Sequence, residues 1–336
     1  MTKSFGAMPV LTVRIHAGFN ANAFLAGLLA LTGETTASAN ARLKRLFPTT
    51  DAELLFDAKS VNAIAGVNCR FVTPTEPHHL HRTPVEILKR YDEESTLTPE
   101  AREKAGLIWH VLAGAEAMVH GATIETVHFH EVGRLSNILA IGLIADIVTE
   151  LNLKHIVASP IPMADGTVQC AHGEVPYPAP SMFMMMKGLP VRPWAGTGEP
   201  VTPTGLAVLL GLKAAFGAWP AMTIEERVTV FTDREFEGVA NGTLFAIGTF
   251  APDVKMPHDH VHAHLHADAH HHDHEHEDEH DHAHEHCHCH AHTHEDGGVE
   301  HCHAHDHDHS HEHEHAHVHG TACPCHSHEH GHEHQH

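Results

Sequence analysis

The segment His128-Phe129-His130-Glu131-Val132-Gly133 carries two imidazoles one residue apart. In an extended chain, residues i and i+2 point to the same side. His128 and His130 can therefore share a metal ion or an anionic ligand, and Glu131 can orient that ligand or act as a base. The competing reading is a capped, internally satisfied cluster at a helix entrance. Cys170 and His172 repeat the spacing in a stretch rich in Gly and Pro. A thiol and an imidazole so placed make a metal site or a nucleophile with its base. A buried thiol beside a structural histidine is the alternative. Thr202-Pro203-Thr204-Gly205 puts two hydroxyls and backbone N–H groups at a helix start, a seat for an anion or phosphate or plain capping. His78, His79 and His81 crowd one polar loop, Pro74 to Thr83, either as metal ligands or as an ordinary surface loop. Met182, Met184, Met185 and Met186 read as helix packing, since methionine fills core gaps.

The largest concentration of donors is at the other end of the chain. Of 44 histidines, 34 lie between His258 and His336, alternating with Asp, Glu, Ala or Cys. That segment has 18 acidic residues, no Lys or Arg, and five of the seven cysteines. Imidazole suits nickel, zinc, copper and cobalt, and thiolates add softer ligands. Alternation lets many registers reach one ion, which favours capture and release over one fixed site. Cys287-His288-Cys289 with His284, His286 and His290, Cys302, and Cys323-Pro324-Cys325 are the expected tighter points. The same tract read blandly is a solvated polyampholyte. Its composition cannot offset the entropy of ordering, so disorder without metal is expected from residue 257 to 336.

Residues 1–256 are expected to form one α/β or α+β body. Residues 8–15 read as a strand. Asn20 or Asn22 would cap an apolar helix from Ala23 to Thr32, closed by Gly33. A second helix runs from Ala39 to Phe47, stopped by Pro48. Residues 61–73 alternate like a strand. Pro84 restarts a helix to Tyr91. Thr98, Pro99 and Glu100 open a longer one whose apolar face would hold Leu107, Val111, Leu112, Ala115 and Val119. Leu135 to Leu153 reads as a buried helix, and Ile156 to Ser159 as a short strand. Pro160 to Pro180 reads as loop and turn. PSMFMMMKG reads as a helix ending at Gly188, and Thr202 caps one running to about Ala215. Strands Met222 to Phe231 and Val239 to Phe250 close the body. Alternating helices and strands give the fold class.

Residues 1–257 hold 25 acids against 20 bases, so no basic excess points to nucleic acid. No apolar run reaches the roughly 18–20 residues of a membrane span, so no membrane partner is expected. Met1 to Phe5 lacks a signal-peptide pattern. Cys69 and Cys170 alone make no disulfide framework, and a reducing cytoplasm is the natural compartment.

ETVHFHEVG, SPIPMADGTVQCAHGEVPYPAPS, KGLPV and GEPVTPTGLAVL, in this order and spacing, resemble the LarC-type nickel insertion proteins. The likeness spans roughly residues 78–212 and is weaker before them. It implies a lyase-type nickel chelatase that inserts nickel into pyridinium bis(thiocarboxylate) mononucleotide to form the nickel-pincer nucleotide. It also implies CTP with a divalent cation as co-substrate, and a His-rich stretch followed by a second domain. On this reading His128, His130, Glu131, Cys170 and His172 line one cleft, and Thr202, Thr204 and Gly205 meet the nucleotide phosphate. Three departures stand out. The family pattern DxFSGISGDM is replaced around His16 to Leu25 with both aspartates missing. Ser136 and Ala140 stand where two further aspartates follow HFHEVG. The chain stops in the His tail, so a separate chain would have to supply the second domain. Carboxylates are natural ligands for a hard cation beside triphosphate. The alternative is therefore a non-catalytic protein of this family that stores or delivers nickel.

Overall fold

The computed structural model describes Phe5 and residues 9–77, 81–170, 173–236, 239 and 242–251. His78, His79, His172 and everything from residue 252 on lie outside the described residues. So do the tail ligands expected at His284 to His290, Cys302, Cys323 and Cys325, the expected tail disorder, and the body–tail boundary.

Strand β1 (Pro9–Ala17) lies inside a mixed seven-stranded sheet, beside its central strand. Its neighbours come from distant parts of the chain. It pairs antiparallel with β11 (Gly242–Phe250) and parallel with β4 (His155–Ala158). On one side β11 leads to β10 (Met222–Val230), then to the hairpin of β3 (Ile64–Val72) and β2 (Glu53–Val61). On the other, β4 is followed by the two-residue β9 (Ala215–Phe216). Two short ladders stand apart from this sheet. One joins β5 (Ile161–Met163) to β8 (Val191–Pro193), the other β6 (Thr167–Cys170) to β7 (Gly173–Pro176).

Helix α1 (Ala21–Thr32) packs on β3, β10 and β11. Asn20 caps it by accepting the Ala23 N–H at 2.8 Å, and Gly33 ends it at φ 76°. A Cβ on Gly27 would fall 2.5 Å from the Phe245 ring, which is how closely α1 approaches β11. Outside α1 come α5 (Leu135–Glu150) and α7 (Pro203–Gly211). Helix α4 (Pro99–His120) crosses α5, α7 and the short α6 (Pro180–Met185). Helix α2 (Thr36–Leu46) lies against β2 and α5, and α3 (Pro84–Glu93) against α4. A buried guanidinium, Arg42, ties α2 to α5 through Asp146 at 2.6 Å and Glu150 at 2.7 Å, and to Glu34 at 2.8 Å.

The mixed α/β class agrees with the sequence. Several local readings are corrected. Residues 53–61 form a strand of their own, paired with β3 through a turn at Asn62 and Ala63, both at positive φ. Half of β2 faces solvent and the turn lacks a glycine, so neither patterning nor turn chemistry announced it. Leu107 is 39% exposed. Leu112 and Ala115 are buried as expected, and the rest of the buried face of α4 runs through Ala101, Ala105, Ile108, Trp109 and Ala113. Pro160 to Pro180 contains three short strands, hidden by their prolines. Helix α6 ends at Met185 and α7 at Gly211, each before the expected stop.

Candidate functional site

The segment 128–133 is fixed by its middle residue. Phe129 is fully buried, with its ring 5.4 Å from that of Trp109. Trp109 donates to the Tyr91 hydroxyl at 2.9 Å, and Tyr91 donates to the Ile138 carbonyl at 2.7 Å. Burial pushes the Tyr91 hydroxyl pKa up, so it stays a neutral donor. Phe129 also makes a two-way backbone pair with Arg82, at 2.8 and 3.2 Å. Arg82 donates to the Gly133 carbonyl and to Glu76, both at 2.7 Å, and Glu76 accepts the Leu135 N–H at the start of α5. Gly133 is required here, because a Cβ would lie 2.8 Å from that of Phe129.

With Phe129 turned inward, the flanking imidazoles turn outward. The His81 ring lies 4.6 Å from that of His130 and 6.2 Å from that of His128. His120, on the last turn of α4, is 6.0 Å from His130 and pairs with Glu116 at 3.5 Å. His120 had no motif around it and was missed in the sequence. Its signal was the i,i+4 spacing from Glu116 at a helix C-terminus. Among the described residues, no group of three His, Cys, Asp or Glu is arranged to hold a metal ion.

Beside this row opens a cavity of about 240 Å³. His130 and Glu131 line it with Glu116 of α4, Cys170 of β6, Glu199, and Thr202 and Thr204 at the start of α7. Five of the residues singled out in the sequence thus meet in one place. His128 is exposed and outside the lining, on the rim with His81. The Cys170 thiol is half-buried, unbridged, and donates to the Gly173 carbonyl at 3.5 Å. Thr202 caps α7, its hydroxyl accepting the Gly205 N–H at 3.3 Å and lying 3.0 Å from the Thr204 hydroxyl. Gly205 is buried behind the cap, where a Cβ would meet Phe19 and Asn20 at 2.9 Å. The α7 start is held beside α1 because the Thr202 N–H donates to the Phe19 carbonyl, and Gly18 and Phe19 donate to that of Pro200.

Glu199 was passed over in the sequence although it stands in GEPVTPTG. Burial pushes its carboxyl up to about 7, Arg234 pulls in the opposite direction, and Glu131 adds to the rise. Tyr177, largely buried near it, is pushed up by burial and by Glu199. Ser136 is half-buried on α5 and Ala140 fully buried, so core packing occupies the positions where the resemblance leads one to expect carboxylates.

The cavity of this mixed α/β scaffold gathers imidazole, thiol and carboxylate groups, donor types that borderline, late first-row metals accept. The chain belongs to the nickel insertion protein family, whose model, described as "Nickel insertion protein", matches residues 11–268. It is 37% identical over 235 residues to a protein of Geobacter metallireducens named for nickel insertion, covering 70% of this chain and 59% of that one. A second such protein, from Syntrophotalea carbinolica, is 36% identical over 242 residues, covering 72% of this chain and 60% of the relative. The pyridinium-3,5-bisthiocarboxylic acid mononucleotide nickel insertion protein of Geobacillus kaustophilus is 38% identical over 149 residues, covering 44% and 36%. The chain therefore spans about three fifths or less of the length of these curated relatives. No solved structure matches it. No helix among the described residues is long and apolar enough to cross a membrane.

Proposed function

We propose that this chain transfers nickel into pyridinium bis(thiocarboxylate) mononucleotide, with the cavity of His130 and Cys170 as the transfer site. The observation that carries this reading is convergence. His130, Glu131, Cys170, Thr202 and Thr204 are scattered over more than seventy residues yet line one cavity, in a chain of the nickel insertion family. Nickel collected by the His-rich segment would reach the rim at His81 and His128, joined by His78 and His79 of the same loop. It would pass to His130 and then to the sulfurs of the acceptor. Nickel favours a planar set of such donors, so exchange from single imidazoles to a chelating ligand runs downhill. Glu131 and Cys170 line the cavity where the ion changes hands, and His172, two residues after Cys170 in the sequence, is proposed to assist them. The start of α7, with Thr202, Thr204 and Gly205, contacts the nucleotide. The resemblance adds CTP with a divalent cation as co-substrate.

The test is incubation of the purified chain with nickel and the metal-free nucleotide, with and without CTP and magnesium. The His128→Ala/His130→Ala double variant should lose transfer, keep the nickel bound by the tail and melt within a few degrees of the parent. A folded double variant that metallates the nucleotide at the parent rate removes this cavity from the reaction. One observation favours a storage or delivery protein instead: Asn22, Ser136 and Ala140 stand where the family pattern has carboxylates. Nickel bound but never transferred, under every condition above, is the outcome that selects it.

A further inference from the structure

A second cavity, of about 230 Å³, shares Glu199 and Thr202 with the first. Its chemistry is different. No imidazole among the described residues lines it. Its polar groups are the amides of Asn20, Asn22 and Asn68, the hydroxyl of Thr232, and the charged Asp233 and Arg234. Amides, hydroxyls and one cation are the donors and acceptors that recognise a sugar phosphate.

The cavity is built. Asn68, almost fully buried on β3, donates to the Asp233 carboxylate and orients it. Lys59 reaches the same loop, donating to the Thr232 carbonyl at 2.9 Å. Gly18 has φ 75°, and a Cβ there would come within 2.8 Å of the Thr232 hydroxyl. Gly198 has φ 95°, and its Cβ would fall 2.4 Å from an Arg234 nitrogen. Both glycines keep the cradle open where a side chain would fill it. The Arg234 guanidinium lies 5.3 Å from the centre of the Phe236 ring, which helps to place it at the mouth. The Asn22 side-chain oxygen is buried with no hydrogen-bond partner among the described residues. A buried acceptor without a donor is costly, and a ligand hydroxyl would satisfy it. Asn20 caps α1 and Asn22 lies in its first turn, so the positive end of a twelve-residue helix adds to the site.

We propose that this second cavity seats the ribose phosphate of a pyridinium mononucleotide, whose ring passes Glu199 and Thr202 into the cavity of His130 and Cys170. Arg234 and the start of α1 meet the phosphate in place of the Thr202, Thr204 and Gly205 seat expected from the sequence, which then borders the ring. Asp233 and Asn22 accept from the ribose hydroxyls. The sulfur-bearing ring edge then faces the metal donors, so the two cavities divide one ligand into a held end and a reacting end. This assignment rests on the insertion reading, because it takes the nucleotide as the acceptor.

The probe is pyridinium-3-carboxylic acid mononucleotide (nicotinic acid mononucleotide), which has the ring, ribose and phosphate but no sulfur. Its binding to the full chain is measured by titration calorimetry in the presence of a metal chelator, beside the riboside that lacks the phosphate. The mononucleotide should bind about tenfold or more tightly than the riboside. Arg234→Gln should abolish that preference, and Arg234→Lys should keep part of it. Circular dichroism establishes that both variants are folded. No binding of the mononucleotide, or an undiminished preference in Arg234→Gln, overturns the assignment. The dithio nucleotide separates it from the reading beneath it. Binding through Arg234 with no metallation upholds the cavity and defeats insertion. Metallation by Arg234→Gln at the parent rate upholds insertion and defeats the cavity.

Discussion

Replacing Glu199 by Gln is expected to raise the melting temperature at pH 8 and to leave it nearly unchanged near pH 4.5. Burial holds the Glu199 carboxyl at about 7 against an ordinary value of 4.5, with Arg234 opposing and Glu131 reinforcing the rise. The folded chain thus binds this proton more tightly than the unfolded one. The stability that comes with the proton is complete below about 4.5 and is lost as pH rises through about 7. Each tenfold in an ionisation equilibrium is worth about 1.4 kcal/mol, so ionising Glu199 in the fold costs about 3 kcal/mol by pH 8. Gln is isosteric with the neutral acid and does not titrate. The variant should therefore gain about 3 kcal/mol over the parent at pH 8, roughly 6–12 °C for a body of this size. The titrating histidines of the tail are common to both proteins and cancel in the difference. Thermal melts at half-unit steps from pH 4.5 to 8.5 read the effect directly. Parallel curves for parent and variant would show that Glu199 ionises freely, and the account of a dry wall shared by two cavities would fail.

The buried Arg42 offers a second test. Burial alone would weaken its hold on the proton, but hydrogen bonds to Glu34, Glu150 and Asp146 outweigh that and raise its pKa. Arg42→Ala strands the largely covered carboxylates of Glu34 and Asp146 and should cost about 3 kcal/mol or more in chemical denaturation; a loss under about 1 kcal/mol would show that the network is solvated. A chain cut after Lys255 should melt like the parent and lose most of its nickel in equilibrium dialysis, since the tail has too little apolar content to join a core. In the full chain, nickel should leave as pH falls below about 6, because protons and metal compete for the same imidazole lone pairs. Full retention at about pH 5 would place the metal on the cysteines or on a preformed site in the body.

What could be read in the residues were the features with short-range causes. Asn20 with Gly33, Thr83-Pro84 and Thr98-Pro99 mark helix ends because a cap satisfies backbone groups two or three residues away. The alternation in HFHEVG told that Phe129 and its histidines face opposite ways, and the Thr202 cap was visible for the same local reason. The convergence of five distant residues on one cavity was legible only through the family likeness, since spacing alone offered a structural alternative for each. Tertiary structure decided the rest. His120 joins the imidazole row because α4 happens to end beside residue 130. Glu199 is an unremarkable glutamate in the sequence, and its proton affinity is set by what α7, Arg234 and Glu131 bring around it. The second cavity is made by residues 18–22, 68–69, 199–202 and 232–236, four segments that meet only because β1, β3 and β10 share a sheet while residues 18–20 are stitched to 200–202. Caps and periodicities are written within a few residues, whereas burial, field and cavity shape belong to contacts between segments that no local pattern encodes.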